Sequence, residues 1–427
     1  MQGFKSNVVV LFFLGIIVTG CSSSRRLKAE KSLIALFETE DFDAHHSGFF
    51  AIDLGSNDTL IAHNASTYFV PASTTKLFTT YAVNKTLGQF LPAMKYNRVN
   101  DTIVVLGTGD PTWLHPHFKN NTPIRFIEQF DVVKLYLDNY KGKKFAPGWA
   151  WEDYEYDFST ELGPLPLYGN VVEIQTSQIS RTKPSYFLDK VSIERSRPNR
   201  DWKENRFYID NTISDTLYIP FMTSKSLTQR LLGGVLSKPT LLLDSLPKKK
   251  WSVLPGIPTD SILKHMLLES DNFLAEQLML TVSSTYSDIL DFNAARDTVL
   301  SKYLNFIEQQ PRWVDGSGLS RYNLFTPKSM VAVIKALHLE MDSLRLFTLL
   351  PRWNKDGTIK EAPARNEDFT IYAKSGSMGN IYNLCGLMRT SSGRLIAFSF
   401  MNNNFRIPSS SIRRNIYKGL KKIYLYH

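Results

Sequence analysis

The segment Val70-Pro71-Ala72-Ser73-Thr74-Thr75-Lys76-Leu77-Phe78 sets a serine and a lysine three residues apart, at the head of a stretch that reads as a helix over 73–87 closed by Gly88. Residues three apart on a helix share a face, so the Lys76 amine lies beside the Ser73 hydroxyl. A hydroxyl is a poor nucleophile until a neighbouring base takes its proton. A partly desolvated lysine can be lowered toward neutrality for that task. A helix start also aims backbone N–H groups and the positive dipole end at developing negative charge. The plain alternative is that Ser73 is an N-cap, because S-x-x-K alone occurs by chance in chains of this length.

Two later strings supply what the first lacks. Ser270-Asp271-Asn272 falls between helical stretches at 261–269 and 273–280. In the functional reading Ser270 relays a proton toward a leaving amine and Asn272 bonds a substrate amide, while Asp271 would point away and serve structure. The alternative is a capping segment, since all three residue types are favoured N-caps. Lys374-Ser375-Gly376 sits in a strand pattern. There a lysine and a hydroxyl can hold a terminal carboxylate, and Gly376 admits a close backbone approach. The N–H of Ser377, with that of Ser73, would form an oxyanion hole. The alternative is an ordinary exposed strand pair.

The remainder of the chain gives the context. It has 427 residues and a net charge of +10 at pH 7, an excess that suits anionic surroundings such as wall polymer or lipid head groups. No nucleic-acid motif is present, and the head of the chain argues against that partner. Residues 1–20 read as an export signal: Lys5 is their one charge, the apolar run 8–18 is too short to span a bilayer, and Val18-Thr19-Gly20 precedes Cys21. That pattern resembles a bacterial lipoprotein signal with Cys21 lipidated and 21–30 as tether, as against an ordinary signal with a chance cysteine. The second of the two cysteines, Cys385, reads as a buried core thiol. His45-His46 and His115-Pro116-His117 lack the H-E-x-x-H arrangement and read as exposed loop histidines, so no metal or other cofactor is expected.

Strand patterns at 48–54, 59–63, 372–387 and 395–401, with a basic amphipathic helix at 411–424, bracket the helical motifs, which suggests an α/β sheet assembled from distant sequence. The long gap between the first two strings holds further strands at 102–106, 171–174, 187–194, 206–209 and 216–220. It reads as one or two inserted domains, β-rich at the centre.

With these residues in view, the chain resembles the low-molecular-mass class C penicillin-binding proteins, D-alanyl-D-alanine carboxypeptidases that often also act as endopeptidases. The resemblance is carried by the three strings together with Leu106-Gly107-Thr108-Gly109-Asp110-Pro111, Trp149-Ala150-Trp151-Glu152-Asp153, Asp315-Gly316-Ser317-Gly318-Leu319-Ser320 and Tyr382-Asn383-Leu384, over about residues 45–402. It implies an α/β fold: a penicillin-binding transpeptidase/β-lactamase-like domain, an antiparallel sheet with helices on both sides, interrupted by nested, partly β-rich domains. The expected division is 31–98 with 252–427 for catalysis, 99–167 with 222–251 for the insert, and 168–221 for a second nested domain.

The implied reaction is acyl transfer through Ser73, with Lys76 and Ser270 handling protons. Asn272, Lys374, Ser375, Gly376 and Ser377 would bind peptidoglycan stem peptides, and Asp153 would read their free amino group. β-Lactams would mimic the substrate. Ser375 stands where the family usually has threonine, which keeps the hydroxyl. Two other readings stand beside this one: a serine β-lactamase, which shares the three strings, and an inactive wall-binding lipoprotein of the same fold. The expected location is a bacterial envelope membrane, held by the lipid and facing the periplasm.

Overall fold

Residues 381–388 and 396–403 are buried at every position, the pattern of strands covered on both faces. The computed structural model describes residues 31, 34–35, 45–176, 181–194, 198–210, 212, 215–248, 250–353, 355–359 and 369–427. The expected signal at 1–20 and the tether at 21–30, Cys21 included, lie outside the described residues. The chain divides into two compact units. One holds the described residues up to Thr74, with Phe325–Glu340 and Leu350–His427; the other holds Thr75–Leu324 and Met341–Leu349.

The first unit is built on a five-stranded antiparallel sheet, in the order Ile371–Met378, Ile381–Arg389, Leu395–Asn403, His46–Asp53, Thr59–His63. Helices cover both faces. Ile412, Ile416, Leu420 and Ile423 of the Ser409–Tyr426 helix pack against Phe49, Leu384, Met388, Phe398 and Phe400. The Pro327–Glu340 helix packs on the three central strands. Its residues Met330, Ile334 and Leu337 are buried without exposure. The stretch expected as one strand over 372–387 is a hairpin instead, because Gly379 and Asn380 turn the chain and Asn380 takes a left-handed φ of +65°.

The second unit has a five-stranded mixed sheet, in the order Thr240–Leu242, Val132–Tyr136, Thr102–Gly107, Phe90–Val99, Ser252–Pro258. It also has a three-stranded sheet of Thr216–Pro220, Val171–Gln175 and Thr182–Lys183, and a parallel pair, Val191–Ile193 with Phe207–Ile209. One apolar core joins all of these: Met94, Val105 and Val133 share it with Ile174, Phe187, Phe207 and Ile219. The hairpin of Phe90–Val99 with Thr102–Gly107 spans the boundary expected at 98–99, and Ser252–Pro258 pairs with it across the boundary expected at 251–252. Only Val191–Ile193 of the strand expected over 187–194 is extended, since the Ser185–Lys190 turn buries Phe187 in the core instead. The helix Asn272–Tyr286 is buried from Asn272 through Ser284 and forms the centre of the helical part.

Candidate active site

In the first unit, the segment before the candidate nucleophile is held by asparagines. Asn383 Nδ2 donates to the carbonyls of Val70 (2.9 Å) and Pro71 (2.7 Å), and Val70 N–H donates to Asn403 Oδ1 at 2.7 Å. The chain then turns through Ala72 at a φ of +48°, left-handed for a residue with a Cβ, and such strain persists where the surroundings over-determine it. Ser73 lies in the 3-10 turn Ala72–Thr75, and the α-helix begins at Lys76 rather than at Ser73. The N-cap position is Thr75, so the capping alternative for Ser73 fails.

The Lys374-Ser375-Gly376 string lies on Ile371–Met378, the edge strand of the sheet. A Cβ added at Gly376 would sit 2.5 Å from the Pro71 carbonyl oxygen and 2.9 Å from the Ser73 and Thr74 nitrogens. Only glycine lets this strand lie so close to the serine turn. Lys374 is 1% exposed and donates to the Ser375 carbonyl at 2.9 Å; Ser375 is buried, and Ser377 is exposed.

In the second unit, Lys76 has no exposed surface, and Nζ donates to Asn272 Oδ1 (2.7 Å) and the Ser317 carbonyl (2.9 Å). Burial lowers its pKa to about 8, against the opposing pull of Asp271, Asp315 and Glu276. The structure thus brings Lys76 and Asn272 together. Ser270, two residues before Asn272, takes a left-handed conformation, φ +59°. Asp271 caps the Asn272–Tyr286 helix by accepting from Leu274 N–H at 2.8 Å, as a structural residue should. The amide of Asn272 donates in turn to the Phe158 carbonyl at 3.1 Å.

Ser270 and Asn272 line a cavity of about 460 Å³ with Phe158, His115 and His265. His115 is not the exposed loop histidine expected. It packs over Gly169, and burial, then His265 and His117, lower its pKa to about 3, so the ring is neutral. Among the described residues, no group of three or more His, Cys, Asp or Glu is placed to hold a metal ion.

Glu276 and Asp315 form a framework that no single residue type signals. Glu276, one turn after Asn272, accepts from the N–H groups of Gly316 (2.9 Å) and Ser317 (2.7 Å), which fixes the carbonyl that Lys76 meets. Burial, then the Asp315 charge, raises its pKa. Asp315 accepts from Gly318 and Ser320 N–H, from Asn323 Nδ2 and from the Trp149 indole at 2.9 Å. The most specific string of the sequence therefore folds as a loop that serves the lysine. Asp153 lies in the 3-10 turn Trp151–Glu155, half-buried, with its pKa raised by burial and then by Glu152.

An antiparallel sheet with helices on both faces, whose lysine-serine-glycine edge strand lies against a serine turn, is the fold of the penicillin-binding and β-lactamase-like class. The chain belongs to the D-Ala-D-Ala carboxypeptidase 3 (S13) family, which it matches over residues 29–192 and 227–424. It is 25% identical to the D-alanyl-D-alanine carboxypeptidase DacB of Haemophilus influenzae, over 88% of this chain and 91% of that one. Penicillin-sensitive carboxypeptidase A of Dictyostelium discoideum is 23% identical over 84% of this chain and 82% of its own. Among solved structures, penicillin binding protein 4 (dacB) of Haemophilus influenzae superposes with a TM-score of 0.71 at 22% identity, covering 91% of this chain and 98% of that one. The same protein complexed with a β-lactam gives a TM-score of 0.65 at 20% identity, covering 92% and 99%.

Proposed function

We propose that this protein is an exported, lipid-anchored serine D-alanyl-D-alanine carboxypeptidase that trims peptidoglycan stem peptides, with Ser73 as its acylated residue. The observation that carries this reading is Lys76, fully buried, hydrogen-bonded to Asn272 and Ser317, and lowered to about 8. A lysine so placed is a general base poised near working pH.

Ser73 Oγ attacks the carbonyl carbon between two D-alanines while Lys76 takes the hydroxyl proton. The N–H groups of Ser73 and Ser377 stabilise the oxyanion. Ser270 passes a proton to the departing amine as the C–N bond breaks, leaving an ester on Ser73. Water then hydrolyses the ester, and Ser73 recovers its proton. Asn272 orients the peptide amide, Lys374 and Ser375 hold the terminal carboxylate, and Gly376 admits the substrate backbone. Asp153 reads the free amino group of the stem peptide. A β-lactam enters the same sequence and stops at the ester. The lipid on Cys21 keeps the enzyme at an envelope membrane on the periplasmic side.

The test is release of free D-alanine from diacetyl-L-Lys-D-Ala-D-Ala by the parent and by Ser73→Ala. The expected result is release by the parent alone. Rapid penicillin turnover without D-alanine release would replace this reading with a β-lactamase.

A further inference from the structure

The helix Asn272–Tyr286 presents Asn272, Glu276 and Leu280 at successive turns of one face. Asn272 meets Lys76 and Glu276 holds the Gly316–Ser317 backbone, while Glu276 and Leu280 also wall a cavity of about 690 Å³. Leu162, Phe292, Leu300 and Trp313 give it apolar walls beside polar and charged ones. This volume lies in the range that encloses most of a small organic molecule.

Four cations, Lys141, Lys143, Arg296 and Arg312, also line the cavity. The nearby carboxylates are committed elsewhere: Asp297 pairs with Arg296 at 2.8 Å, Asp291 caps a helix through Asn293 N–H at 2.8 Å, and Glu276 accepts two backbone N–H groups. Among the described residues, no carboxylate pairs with the side chains of Lys141, Lys143 or Arg312; Arg312 lies over the Tyr322 ring at 5.7 Å. A chamber with apolar walls and three cations that no carboxylate pairs with selects an organic anion: the body packs on the apolar walls and the charge meets the cations.

We propose that this cavity is a second ligand site, for an organic anion with an apolar body, and that its occupancy is felt at Lys76 through Glu276 and the Gly316–Ser317 turn. The coupling is short. Trp313 Nε1 donates to the Asp315 carbonyl at 2.8 Å, and Glu276 bonds the next two N–H groups, so two cavity walls fix the turn whose Ser317 carbonyl accepts from Lys76. A ligand that presses on Trp313 and Glu276 shifts that acceptor and alters how readily the lysine gives up its proton.

The test uses purified protein and 8-anilinonaphthalene-1-sulfonate, an aryl anion that fits the chamber, followed by its fluorescence. Saturable one-site binding is expected. The neutral N-phenyl-1-naphthylamine, and the double charge reversal Lys143→Glu with Arg312→Glu, should each weaken binding by about tenfold or more. Leu300→Trp, which fills the chamber, should abolish it. On the parent, acylation of Ser73 by a fluorescent penicillin should change in rate as the site fills; in the double reversal, acylation should match the unliganded parent with or without the probe. Absence of saturable binding, or binding indifferent to both the charge reversal and the filled chamber, overturns the site. Binding that leaves the acylation rate unchanged overturns the coupling. The binding arm does not depend on Ser73 chemistry, so a parent that never acylates refutes the proposed function and leaves the site to be judged separately.

Discussion

Lys76 and Asp110 show what burial does to single charges here. Desolvation lowers Lys76 to about 8, so its free-base fraction grows as pH rises toward that value. The rate of Ser73 acylation by a β-lactam is therefore expected to climb with pH up to about 8 and to level above it. Lys76→Ala should lose the pH dependence together with about a hundredfold or more of the rate. Asp110 is raised to about 7 by burial, against hydrogen bonds from Thr112. Its folded pKa exceeds its unfolded one, so between about 4 and 7 the folded chain binds the extra proton and stability falls as pH rises. Asp110→Asn keeps an acceptor for Thr112 N–H and removes that slope. Thermal midpoints at pH 5 and 8 should show the variant gaining on the parent at the higher pH. The S-x-x-K string picked out a lysine that the fold buries, and Asp271 was legible from the sequence by its cap position. Glu276 was not, because a glutamate on a helix looks like any solvated one until the fold buries it against Gly316 and Ser317.

Elements bring these groups into register. Gly376 allows the edge strand to lie against the Pro71–Thr74 backbone, so Gly376→Ala forces a Cβ into a space 2.5 Å from the Pro71 oxygen. Acylation should fall sharply, with a destabilisation of about 1–3 kcal/mol in denaturant unfolding. The Asp315 loop is the other case. Asp315→Ala leaves the N–H groups of Gly318 and Ser320, the Asn323 amide and the Trp149 indole without their acceptor, for a loss of about 3 kcal/mol or more. Alternating or two-sided apolar strands such as Val171–Gln175 and Leu395–Asn403 could be read directly. Phe90–Val99 and Ser252–Pro258 could not, since Pro92, Pro255 and Pro258 interrupt their patterns; both strands pair with shifts in register there.

At the scale of the molecule, a sheet assembled from the two ends of the chain followed from the terminal strands, and helices on both its faces from the resemblance, whereas the strand order and the extent of the inserts did not. One apolar core runs through the mixed sheet and the smaller sheets, and such continuity leaves no composition shift to mark a boundary. The anchoring account predicts that cells fed labelled palmitate incorporate it into the full chain and not into Cys21→Ser, which would leave the membrane fraction. The central claim is a serine acyl-enzyme on Ser73. Intact mass of the protein with and without benzylpenicillin, beside Ser73→Ala, tests it most directly. The account predicts a stable adduct of one penicillin on the parent and none on the variant. An adduct that persists in Ser73→Ala, or a parent that neither gains mass nor consumes penicillin, would contradict it.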